Sequence, residues 1–192
     1  MEYVSGGSLR NVIEQFGPPP LNAVRRYLGD ILKGLVYLHT QKVVHCDLKP
    51  HNALLSNDGS VKLSDFGSSL NTQQVKADKD KKGGVDEDVT VRGTAHYMAP
   101  EAARNEITSA SDIWSLGITV LELLTGNVPW QFKGSDAAFV YKLSRDETFM
   151  PTIPPNLHKS AADFCRACLQ RDPAKRPTAQ ALQLTEFVTG SS

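Results

Sequence analysis

The chain has 192 residues, 40% of them hydrophobic and 22% charged, enough for one ordinary soluble domain with a sizeable core. Lys plus Arg and Asp plus Glu both number 21, so the net charge is zero, which argues against a general nucleic-acid or membrane-surface binder. There is no secretory signal, the longest apolar run (Ile113 to Leu124) is too short to span a bilayer, and the three cysteines, Cys46, Cys165 and Cys168, fit a reducing, cytoplasmic setting.

Met1 to Gly7 reads as the end of a strand entering a Gly-rich turn. Ser8 is placed to cap a short helix through about Phe16, which Pro18, Pro19 and Pro20 stop. Val24, Leu28, Ile31, Leu35 and Leu38 then recur at alternating four and three spacing, predicting an amphipathic helix that ends near Thr40. The apolar runs Ala53–Leu55 and Val61–Leu63 flank Ser56-Asn57-Asp58-Gly59-Ser60, the signature of a small β-hairpin. Residues 71–89 are charged, Gly-containing and nearly free of large apolar side chains, which predicts a mobile loop. Ile113 to Leu124 is apolar on every side except for Glu122, so it predicts a helix buried all round, started by Ser109 or Ser111 and ended by Gly126. Further helices are expected near 136–144, 160–169 and 178–184, giving a mainly α fold. Cys165 and Cys168 lie in a helical pattern with Phe164 and Leu169 and lack a second ligand pair, so they read as core cysteines. His39, His51, His96 and His158 show no metal-ligand spacing and read as surface or packing residues.

Five motifs occur in one order: His45-Cys46-Asp47-Leu48-Lys49-Pro50-His51-Asn52, Asp65-Phe66-Gly67, Ala99-Pro100-Glu101, Asp112 at the start of the buried helix, and Arg176-Pro177. This set resembles the catalytic domain of eukaryotic serine/threonine protein kinases, and the resemblance covers nearly the whole chain. It implies a mainly α, kinase-like C-terminal lobe with a small β-hairpin beside the catalytic loop, spanning 1–188 with a tail at 189–192. Residues 1–8 would be the interlobe connector and 65–101 the activation segment. ATP and Mg²⁺ would be the cofactors, and a protein carrying Ser or Thr, such as a downstream kinase, the partner.

The resemblance also implies residue roles. Asp47 would accept the acceptor proton, Lys49 would place positive charge near the transferring phosphoryl group, and Asn52 and Asp65 would hold Mg²⁺. Gly67 would allow the turn that brings Asp65 into the site. Glu101 would pair with Arg176, Asp112 would hold the catalytic-loop backbone from below, and His45 and Phe66 would stack. The backbone of Glu2 and Val4 would meet adenine, with Ser8 near the ribose and Leu54 beneath the ring. Lys49 with Gly93-Thr94 resembles serine/threonine rather than tyrosine kinases. Gly93 to Glu101 and Gly6-Gly7-Ser8-Leu9 are similar to the mitogen-activated protein kinase kinase kinase and sterile-20-like groups. Thr90 stands four residues before Thr94, where related kinases carry an activating phosphate.

Two departures accompany the resemblance. The family's Gly-rich loop, strand Lys and helix Glu would stand before Met1 and are not within these 192 residues, which alone are expected to bind ATP poorly. Cys46 stands where the family usually has Arg, so a phosphate on the loop would either matter less or act through other basic groups such as Arg92 or Lys62. Both departures keep open an alternative, a docking or scaffolding module without catalysis.

Overall fold

In the computed structural model, which describes residues 6–72 and 92–190, the first element is α1 (Leu9–Phe16). Ser8 caps it as expected: Ser8 Oγ accepts from Asn11 N at 3.2 Å and Asn11 Oδ1 accepts from Ser8 N at 2.9 Å. That reciprocal pair satisfies two of the donors that a helix start leaves open. The next helix, α2 (Leu21–Thr40), buries the predicted stripe Val24, Leu28, Ile31, Leu35 and Leu38, together with Tyr27 and Leu32.

Two antiparallel strand pairs flank the segment that follows. In one, β1 (Val43–Val44) pairs with β4 (Leu70–Asn71), which joins the two ends of this region. The sequence did not announce it, because two residues show no alternation. The other is the expected hairpin of β2 (Ala53–Leu55) and β3 (Val61–Leu63), with Ala53 opposite Leu63 and Leu55 opposite Val61. Its turn is fixed by Asp58, whose Oδ1 accepts from Ser60 N at 2.9 Å.

The long apolar run becomes α3 (Ser109–Thr125), in which every residue from Ser111 to Leu123 is buried. Its cap differs from expectation. Thr108 is the N-cap, and Ser111 serves instead as the third helical residue, its Oγ accepting from Thr108 N at 3.2 Å. Gly126, at φ 80°, ends the helix by donating to Glu122 O at 2.7 Å. Against α3 pack α2 and α5 (Lys159–Cys168); α4 (Asp136–Arg145) packs on the short turns Ala95–Tyr97 and Ala102–Arg104, and two short helices, α6 (Ala179–Leu182) and α7 (Glu186–Thr189), pack on α2. Cys165 and Cys168 are buried in α5, as read from the sequence. No helix among the described residues is long and apolar enough to cross a membrane.

Gly117 lets α3 come close to the end of α5. A Cβ there would stand 2.9 Å from both Cys168 Cβ and Leu169 Cγ, tighter than real contacts allow. Overpacking of this kind costs about 1–3 kcal/mol, which outweighs the gain of at most about 1 kcal/mol from alanine's helix propensity. Gly117→Ala is therefore expected to lower the urea midpoint without changing the m-value. A raised midpoint would show that the helices part easily.

Candidate active site

The segment His45–Asn52 runs between β1 and β2, directly over the first turn of α3. Asp112 fastens it from that turn. Its Oδ2 accepts from His45 N at 2.9 Å and its Oδ1 from Cys46 N at 3.0 Å, with the carboxylate 1% exposed. The fastening matters because Cys46 sits at φ 68°, a left-handed conformation that a non-glycine residue adopts only under constraint. His39 adds a second support, its Nε2 lying 2.8 Å from Asp112 Oδ2. The His45 ring faces Ser64 O through Nε2 at 3.0 Å and accepts from Asp47 N through Nδ1 at 3.3 Å, an arrangement that assigns the Nε2–H tautomer. Phe66 meets it with ring centroids 5.2 Å apart.

Asp47 is the focus of this loop. Its Oδ1 accepts from Thr94 Oγ1 at 2.7 Å and from Thr94 N at 2.9 Å. Its Oδ2 accepts from Lys49 Nζ at 2.8 Å and Asn52 Nδ2 at 2.9 Å. Lys49 Nζ also donates to Thr94 Oγ1 at 2.5 Å. Burial by itself pushes the Asp47 carboxyl up. The hydrogen bonds from Lys49 and Thr94, the Lys49 charge and the Asn52 amide together outweigh it, and the carboxyl lies below its ordinary value. Asp47 is thus an anion at neutral pH, 8% exposed and accepting from Thr94, Lys49 and Asn52 of its own chain.

Gly93 makes the approach of Thr94 possible. It lies at φ 95°, and a Cβ there would strike the carbonyl oxygen of Cys46. The Cys46 thiol donates to Val44 O at 3.5 Å, and burial, then the Asp112 charge, pushes it up to about 12. It is a neutral thiol at physiological pH and a poor nucleophile. Arg92 borders the same recess, with Nη1 3.5 Å from Ser68 O.

The residues expected to carry the metal lie at the edge of this cluster. Ser64 N donates to Asn52 O at 2.9 Å, which brings Asp65 next to Asn52 in the chain path. Asp65 is exposed, and its Oδ1 lies 3.4 Å from Gly67 N. In this turn Asp65 itself takes the left-handed conformation, at φ 60°. Ser8 and Leu54 are bridged to each other, and the Ser8 hydroxyl is occupied in capping α1. Glu2, Val4, Thr90 and loop residues 73–89 lie outside the described residues.

Further from Asp47, Glu101 and Arg176 meet as a bidentate pair, Nη1–Oε1 at 2.7 Å and Nη2–Oε2 at 2.8 Å. The remaining Arg176 donors go to the carbonyls of Gln170, Ala110 and Arg171, so the buried guanidinium leaves no donor open. Ser111 Oγ donates to Glu101 Oε1 at 2.8 Å. Beside Thr94 opens a groove of about 720 Å³, lined by Gly93, Ala95, Ala103 and the α4 residues Val140 and Tyr141. Sequence reasoning had missed His39, read as a packing residue, and Tyr97 and Glu122. The lone charge of Glu122 in an apolar helix was the available signal.

The protein kinase domain profile matches residues 1–188, and the chain belongs to that family. It is 38% identical over 191 residues to mitogen-activated protein kinase kinase kinase 2 of Arabidopsis thaliana, covering 99% of this chain and 28% of the relative. It is 41% identical to mitogen-activated protein kinase kinase kinase YODA of the same plant, covering 98% of this chain and 20% of the relative. With mitogen-activated protein kinase kinase kinase 20 it shares 40% identity, covering 98% and 55%. The chain spans about a quarter of the length of the first of these relatives.

Proposed function

We propose that this chain is the acceptor-binding and catalytic part of a serine/threonine protein kinase, transferring the γ-phosphate of ATP to a serine or threonine hydroxyl of a protein. The observation that carries the reading is the contact of Asp47 Oδ1 with Thr94 Oγ1 at 2.7 Å, which supports a pocket fitted to an aliphatic hydroxyl. An acceptor hydroxyl presented there hydrogen-bonds Asp47, and its proton passes to the carboxylate as its oxygen attacks the γ-phosphorus. The bond from that phosphorus to the bridging oxygen breaks, and ADP carries the electron pair away. Lys49 supplies positive charge at the transferring oxygens.

Asn52 and Asp65 fit a hard cation: the Asn52 amide nitrogen is spent on Asp47, which leaves its oxygen as a ligand, and the exposed Asp65 carboxylate offers more oxygen. Mg²⁺ held by them would neutralise phosphate charge. In this reading 1–188 is a kinase-type C-terminal lobe, 1–8 the connector that receives adenine, with Glu2, Val4, Ser8 and Leu54 around the nucleotide. Residues 65–101 form the activation segment with Thr90 and Thr94 in it, and 189–192 are a tail. His45 and Phe66 form one stack, and Glu101 with Arg176 a brace. Likeness to mitogen-activated protein kinase kinase kinases makes another kinase of a signalling cascade the natural acceptor, and the free thiols support a cytoplasmic setting.

The test incubates the intact protein with γ-labelled ATP, Mg²⁺ and casein, then hydrolyses the product. Labelled phosphoserine and phosphothreonine are expected. Label confined to phosphotyrosine, or no transfer, overturns the reading.

A further inference from the structure

Two recesses meet where α2 ends and α3 begins. The larger, of about 440 Å³, is bounded by the last turn of α2, the first turn of α3 and the segment Arg176–Gln180. The smaller, of about 280 Å³, is bounded by β1, Thr72 and Ile107–Ser109. His39, Lys42 and Ser109 line both. The larger falls within the roughly 300–1,000 Å³ of small-molecule sites. Its walls are of two kinds: Val36, Ile113 and Pro177 are apolar, while Lys42, Ser109 and Gln180 are polar.

Lys42 is the unusual member. Its backbone lies at φ 61°, a left-handed conformation that at a helix end normally falls to glycine or asparagine. The backbone is pinned there from both sides. Lys42 N donates to His39 O at 3.1 Å, and Lys42 O accepts from Thr72 N at 3.0 Å and from Thr72 Oγ1 at 3.2 Å. The side chain takes no part in that fastening, and its ammonium makes no ion pair or hydrogen bond among the described residues. Nor does any carboxylate among them line either recess. Asp112, which meets His39 Nε2, already accepts from His45 N and Cys46 N. Arg176 lines the larger recess but spends its donors on Glu101 and three carbonyls. At the end of α2, where carbonyls would repel an anion, Val36 O accepts from Thr40 Oγ1 at 2.7 Å and Tyr37 O from Gln41 N at 3.2 Å. One uncompensated cation beside an apolar wall therefore sets the chemistry of both recesses.

We propose that they form a binding site for a small organic anion, an apolar body carrying one carboxylate, sulfonate or phosphate group. Lys42 takes the charge, Ser109 and Gln180 donate to the same group, and Val36, Ile113 and Pro177 hold the body. The site is separate from the Asp47 cluster and stands whether or not the chain transfers phosphate. It reaches the catalytic loop all the same. His39 walls both recesses, and its ring meets the Asp112 carboxylate that fastens His45 and Cys46. A ligand that presses on His39 is felt at those two amides.

The experiment titrates the isotope-labelled protein with naphthalene-2-sulfonate and, separately, with its uncharged counterpart naphthalene-2-sulfonamide, following backbone amide shifts. The sulfonate is expected to shift Lys42, Ser109 and Ala110 saturably, with smaller shifts at His45 and Cys46. The sulfonamide should bind about 3- to 10-fold more weakly, the worth of one charge-assisted contact at a part-exposed site. Lys42→Gln should close that gap and Lys42→Arg should keep it; the side chain is exposed, so both variants fold. Added salt should weaken the sulfonate and leave the sulfonamide unchanged. Equal affinity for the two probes, or a Lys42→Gln protein that still prefers the sulfonate, overturns the anion site. So do shifts that fail to saturate or that centre on the Thr94 groove. Saturable shifts at Ser109 and Ala110 that leave His45 and Cys46 unmoved overturn the link to the catalytic loop.

Discussion

Glu101→Ala is expected to destabilise the fold by about 3–5 kcal/mol, the usual consequence of stranding one member of a buried ion pair. The Arg176 side chain is 0% exposed, so no water can replace the two bonds it loses. Ser111 Oγ loses its acceptor at the same time. For a domain of this size, each kcal/mol shifts the melting temperature by about 2–4 °C, so a fall of roughly 6–20 °C should appear in a thermal melt. Arg176→Lys should lose most of that stability too, since an ammonium has three donors and cannot reach Glu101 as a fork while serving three carbonyls. The double variant Glu101→Leu with Arg176→Met should recover part of the loss, because it removes both charges together. A fall under about 2 °C in Glu101→Ala would mean that the site relaxes to admit water and that the pair holds nothing.

Asp47→Ala should reduce phosphoryl transfer about 10²–10⁴-fold, the range for loss of a positioned general base. The melting temperature should move little by comparison, because Lys49 reaches solvent and can be rehydrated. The pH dependence carries a second signature. The folded carboxyl lies below its ordinary value, so Asp47 is ionised above that value and gains a proton only as pH falls through the lower, folded one. The stability it contributes follows the same course: present above the unfolded value of about 3.9, lost below. An acid limb in kcat/KM between pH 5 and 7 therefore belongs to some other group. Thr94→Val, which takes away the hydroxyl donor to Oδ1, should move the Asp47 limb upward. If Asp47→Ala retains more than about a tenth of the activity, this carboxylate is not the base.

The sequence showed most of the architecture because its strongest signals are long ones. A stripe from Val24 to Leu38 has one helical reading, and so does an apolar cylinder from Ile113 to Leu124. The site was legible for a different reason: Asp47, Lys49, Asn52 and Asp65 keep the spacing of a known catalytic loop, and the contacts of Asp47 with Lys49 and Asn52 follow from that spacing. What stayed hidden depends on side chains far apart in the chain. His39 reaches Asp112 from 73 positions away, and Arg10 reaches Glu122 from 112. No local pattern encodes either meeting. The β1–β4 pair was too short to alternate, and the helix cap fell on Thr108 because Ser111 was better used one turn in, bridging Thr108 N and Glu101.

The buried helix α3 has a consequence for how the molecule comes apart. It receives Arg10 from the chain start, His45 and Cys46 from the catalytic loop, and Tyr97 and Glu101 from the acceptor side, while Arg176 from the chain end caps its first turn at Ala110. Few of these can detach while α3 stays put, and α3 cannot move without releasing them all. The surroundings of Asp47 are therefore expected to open together with global unfolding, with slow amide exchange at His45 and Cys46 as the sign. Residues far from Asp47, such as Gly117 on α3 and Cys168 on α5, are then expected to set how long the site persists under thermal stress.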